Sequence, residues 1–100
     1  MTIDTQVKTL ARICGENVLR SALGNIARME LQKCQMLLAK IDQELVVFEK
    51  QFSLSSAEAW KKYSAGELGD RMNLMEWMAV YQNRLSIQKN VQQLNQTIEP

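Results

Sequence analysis

The chain has no histidine, one proline and only four glycines among its 100 residues. Without histidine it lacks the side chain that most often serves as a general base near neutral pH and most often ligates metal. Its one proline is Pro100, at the very end. That shortage of breakers favours long helices over a many-turned β fold. Charge of one sign is also missing: 12 Lys and Arg face 11 Asp and Glu, a formal +1. Interleaved charge so nearly balanced gives no electrostatic footprint for nucleic acid or for an anionic membrane. No apolar run nears the roughly 18 residues that mark a membrane-spanning helix.

Cysteine occurs twice, at Cys14 and Cys34, outside any CxxC spacing. The opening stretch "MTIDTQVKTLARIC" has no basic start followed by an apolar core, so two reduced thiols packed as small hydrophobes in a cytoplasmic protein are expected. Walker, Rossmann and GxSxG strings are absent. A cysteine nucleophile without histidine would need another activator, and none is evident. An enzyme is therefore not expected, and no cofactor or metal is assigned. Glu67, Asp70 and Glu76 are the one acidic cluster to weigh as a cation site. Glu76 lies almost two helical turns beyond Asp70 and Arg71 intervenes, so the bland reading, a capping aspartate and two solvated glutamates, is preferred.

What the sequence has in quantity is helical periodicity. Leu31, Cys34, Leu38, Ile41, Leu45, Phe48 and Phe52 step 3-4-3-4-3-4, a heptad seam on one helix face. Traced backwards, that register meets Ala27, Gly24, Arg20 and Asn17, a poor seam, whereas Val7, Ala11, Cys14, Val18, Ala22 and Ile26 make a better stripe. The registers disagree near "LGN" at 23–25. We therefore expect residues 4–23 as a separate or bent amphipathic helix capped by Asp4, with 1–25 an N-terminal extension and 26–100 a helical-hairpin domain. One continuous helix over 5–51 is the alternative.

After Phe52, Ser55 and Glu58 have capping-box spacing, Leu54 precedes the cap as a staple, and Trp60 and Tyr63 supply an apolar edge. Gly66 is placed to end this short helix. The next residues, "GELGD", hold two of the four glycines. Leu68 can drop into the core, Gly69 permits a tight turn, and Asp70 is placed to cap the last helix, which makes the stretch a hinge with its own anchor. In that helix Trp77, Val80, Arg84, Ile87, Val91, Leu94 and Ile98 again step 3-4-3-4-3-4. The fold class expected is all-α, an antiparallel hairpin of long helices with a short connecting helix.

Residues 72–81 are apolar almost all round, which calls for cover on more than one side. A homodimer with a four-helix core is the favoured assembly, with Leu31, Leu38, Leu45, Phe48, Trp60, Trp77 and Tyr81 as its core or interface. Met72, Met75 and Met78 form either an adaptable groove or ordinary core. Arg84, between two apolar seam positions, either snorkels to solvent or pairs with an acid and fixes register. Met72, Met75 and Arg84 are the candidate partner-binding residues. Trp60, Tyr63, Trp77 and Tyr81 have no basic groove beside them, so a hydrophobic cluster is preferred to base stacking.

The stretch "SSAEAWKKYSAGELGDRMNLMEWMAVYQNRL" resembles a family of short prokaryotic helical proteins with a Ser-x-x-Glu helix start, an aromatic pair, Gly-Glu-Leu-Gly-Asp, then Glu-Trp and a following Tyr. These fall on Ser55, Glu58, Trp60, Tyr63, Gly66 to Asp70, Glu76, Trp77 and Tyr81, and the likeness spans about residues 26–95. Such proteins look like antitoxin-type partners of small toxins, so the resemblance implies a helical protein that binds and occludes another protein. Family members carry more acids just after the position of Asp70, where this chain has Arg71, Met72 and Asn73, and the first 25 residues fall outside the pattern. Two rival readings remain: a purely structural self-associating bundle, and a nucleic-acid binder using Lys8, Arg12 and Arg20. The composition argues against the second.

Overall fold

The computed structural model describes residues 1–69 and 71–98, and among them the only regular structure is helix: α1 (Ile3–Cys14), α2 (Glu16–Phe52), α3 (Ser56–Ser64) and α4 (Met72–Ile98). The expected seams are the ones used. Each seam residue of α2 from Leu31 to Phe52, and of α4 from Trp77 to Ile98, is buried or half-buried. The two helices lie antiparallel, with Phe52 against Trp77, Asp42 against Arg84, and Gly24 near Ile98.

The N-terminal boundary differs from expectation. The helix breaks at Gly15, with φ 90 and ψ 154, and α2 then runs unbroken through "LGN" and through residue 25. That backbone region is nearly closed to residues with a Cβ, whereas Gly24 sits in ordinary helix. Thr2, not Asp4, caps α1, its hydroxyl accepting from the Thr5 N–H at 3.2 Å. The stripe Val7, Cys14, Val18, Ala22 and Ile26 is exposed, and the poor-looking continuation through Gly24 and Ala27 is the buried one. These two positions continue the buried seam toward the end of α4, near Ile98. At about 1.5 Å per residue α2 alone spans roughly 55 Å, while the whole molecule is 57 Å long. So α1 does not prolong α2; it turns off the axis at Gly15.

The core lies at the α2–α3–α4 end. Trp77, wholly buried, stacks on Phe48 and Phe52 with ring centroids 6.0 and 5.2 Å away. Its Nε1–H donates to Ser56 Oγ at 2.9 Å, so the one polar atom of the buried indole is satisfied by an equally buried hydroxyl. Trp60 meets Tyr81 at 5.9 Å. The short helix covers the second side of α4 through Ala59, Trp60 and Tyr63, which with Leu68 enclose Leu74 and Met78. The almost all-round apolar stretch is thus largely covered within one chain. Leu38, Leu45, Phe48, Trp60, Trp77 and Tyr81 belong to this intramolecular cluster, and Leu31 is half-buried on the same seam.

The junctions follow from capping chemistry. Ser55 Oγ accepts from the Glu58 N–H at 3.2 Å. The expected return bond from Glu58 to Ser55 is absent among the described residues; instead Glu49 of α2 accepts the Ser56 N–H at 2.8 Å, tying two helices together. Gly66, with φ +77, ends α3: its N–H donates to the Tyr63 carbonyl and the Glu67 N–H to the Lys62 carbonyl, the paired bonds of a Schellman motif. Leu68 is half-buried against the core, and Gly69 also has φ +77. Asp70, expected to cap α4, lies outside the described residues. The carbonyl of Arg71, just before α4, accepts from the Met75 N–H at 2.9 Å.

Candidate interaction surfaces

Met72, Met75 and Arg84 were expected to bind a partner, and of the three only the two methionines are exposed on α4. Met72 and Met75 are exposed, at 77% and 50% of their full areas. Arg84 lies about 180° around α4 from Met75 at the helical repeat of 100° per residue. There it is half-buried against α2, its Nε donating to Asp42 Oδ1 at 2.6 Å. That ion pair lies at the edge of the α2–α4 seam, with Asp42 half-exposed, and links the two helices across the hairpin.

Beside the two methionines runs an open groove of about 550 Å³ between α2 and α4, lined by Glu44, Val47, Phe48, Glu76, Ala79 and Val80. Met72 and Glu76, and Met75 and Ala79, are i,i+4 neighbours on α4, so the methionines flank the groove at its upper end. The floor is apolar, and the two carboxylates are its only charged groups. An apolar trough with paired acids favours an apolar segment that carries a lysine or arginine. Sequence reasoning missed Val47 and Ala79, because neither sits on a seam; the signal was two apolar residues facing one another beside the seam across an antiparallel pair.

A second apolar surface was also missed. On α2, Leu19, Ala22, Ile26, Met29, Lys33 and Met36 repeat the 3-4-3-4-3 spacing on a face turned away from α4. Ile26, Met29 and Met36 are 57%, 63% and 63% exposed. Before it in the chain, α1 carries Ile3, Val7, Leu10 and Ile13 and buries none of them.

The remaining candidates carry less. Cys34 packs against the core as expected, but Cys14 is exposed, contrary to the reading of two packed thiols; both are free. Among the described residues no three histidine, cysteine, aspartate or glutamate side chains gather as metal ligands. Lys8 and Arg12 lie on α1, and Arg20 lines a shallow depression of mixed polarity near the end of α4. Among the described residues no helix is long and apolar enough to cross a membrane. Comparison with protein-family models, with curated proteins and with solved structures gives no match to any of them.

Proposed function

We propose that this chain is a non-enzymatic, cytoplasmic helical interaction module that self-associates and occludes a partner protein, in the manner of an antitoxin. The observation that carries the reading is the apolar α2–α4 groove flanked by Met72 and Met75. It stays open although the chain satisfies its own core: Trp77 is enclosed, and no buried side-chain polar atom among the described residues lacks a hydrogen-bond partner. The groove's apolar walls, with the exposed Met72 and Met75 beside them, offer a seat for an apolar segment of a partner. The resemblance through Gly66 to Asp70 and Glu76–Trp77 points the same way.

Affinity capture of the chain coexpressed with its genomic neighbours, followed by the absolute mass of the eluate, tests the proposal. A stoichiometric second protein is expected, lost on Val47→Glu or Met75→Glu. A purely structural self-associating bundle is the alternative, and the second apolar face of α2 is what favours it. Homo-oligomers alone, with no bound hydrophobic dye and no copurifying neighbour, would replace the first reading by this one.

A further inference from the structure

We propose that the second apolar face of α2 is where two copies of this chain pair, antiparallel, about a two-fold axis passing between Ala27 and Arg28. The inference rests on the self-association proposed above and adds which face makes it. Four side chains of the face pair off at equal distances from that point: Ile26 with Met29, and Ala22 with Lys33. Leu19 and Met36 form a further pair at its ends. A two-fold interface requires such self-complementarity, because each residue meets its mirror position on the partner. Antiparallel pairing so centred puts Ile26 on Met29 twice at the centre. It sets the small Ala22 opposite Lys33, whose stem then has room to lie along the interface and carry its ammonium to the edge. A single lysine at a seam position also selects one register over others, at some cost in affinity.

The area is that of a small interface. With exposed Val, Leu, Ile and Met residues at about 150–200 Å² each, Ile26, Met29 and Met36 offer roughly 350 Å² of apolar surface and the flanking Val18 and Leu37 roughly 150 Å² more, which with the stem of Lys33 nears the lower end, about 600 Å² per partner, of stable dimers. The charges along the first thirty residues, Asp4, Lys8, Arg12, Glu16, Arg20, Arg28 and Glu30, are mixed, four cations and three anions, and nearly cancel. Two like copies therefore meet without net repulsion, whereas a strongly charged partner would find no matching field. Such mixed charge also suits an anionic lipid surface poorly.

Light scattering of the full chain should give twice the 11.5 kDa of one copy. Ile26→Glu with Met29→Glu should return it to a single copy, weakening association by more than about 100-fold, with far-UV dichroism unchanged because both residues are exposed in the hairpin. Register is read by mixing Ala22→Cys chains with Lys33→Cys chains, each with Cys14→Ser and Cys34→Ala. These positions lie on the order of 16 Å apart within one helix, too far for an internal disulfide. Mild oxidation should join the two variants to each other, and neither to itself. A monomeric native chain, with or without binding to anionic vesicles, would overturn both the proposal and the self-association beneath it. A dimer indifferent to Ile26→Glu with Met29→Glu, or one that gives no mixed disulfide, would overturn this face or this register and leave self-association standing.

Discussion

Removing one hydroxyl at Ser56 should destabilise the fold out of proportion to its size. Ser56 Oγ accepts the indole N–H of Trp77 at 2.9 Å; Trp77 is wholly buried and Ser56 nearly so. Ser56→Ala strips the acceptor and leaves a donor with no route to water, which costs about 1–3 kcal/mol. The other bond of this residue, its backbone N–H to Glu49, survives the change. At about 4–8 °C per kcal/mol for a domain of this size, the melting temperature should fall by roughly 5–20 °C. Urea denaturation followed by far-UV dichroism, at one fixed protein concentration because association contributes to stability, is the assay. A double-mutant cycle isolates the bond: in a Trp77→Phe background the indole donor is gone, so Ser56→Ala should cost about 1 kcal/mol less there than in the native chain. If Ser56→Ala costs under about 0.3 kcal/mol in the native chain, the indole has another partner and the account of this core is wrong.

Gly24→Ala should stabilise by about 0.5–1 kcal/mol, since the residue is helical and an added Cβ would meet only the end of the Arg28 side chain, at 3.5 Å; a melting temperature below that of the native chain would contradict this. Gly66→Ala should instead cost about 1–2 kcal/mol, because φ +77 is strained for any residue with a Cβ, and the same thermal scan separates the two glycines. Arg84→Leu should be neutral or stabilising by up to about 1–2 kcal/mol, as a half-exposed ion pair gives way to apolar packing on the seam. Its side effect, visible as broadened NMR lines, should be looser register between α2 and α4.

Much of the fold was legible in the sequence because both long seams obey the 3-4 spacing without a gap, and because Ser55 and Gly66 carry capping and terminating chemistry that is local. What was not legible has local causes too. Glycine permits a break without requiring one, so Gly15 and Gly24 look alike as letters although only Gly15 has a positive φ. Periodicity rewards large side chains, which made Gly24 and Ala27 look like a failing seam although both are buried on the face that α2 turns to α4. Arg84 was placed among apolar neighbours correctly, but its partner, Asp42, lies across the hairpin and no spacing along one helix reveals it. The α2–α4 groove likewise belongs to neither helix alone.

The Gly15 joint makes the length of the molecule depend on a single methyl group. If the residue there carried a Cβ, the least strained outcome would be an ordinary helical residue, fusing α1 and α2 into one rod of fifty residues from Ile3 to Phe52 and on the order of 75 Å. The bent and straight forms would share nearly every core contact, since α1 buries no residue of its own in the first place. Mechanically, then, the first fourteen residues are an arm whose angle is set by one torsion and whose position the rest of the protein hardly feels. An arm of that kind can be re-aimed, lengthened or lost in descent while the hairpin that carries the groove goes on folding as before.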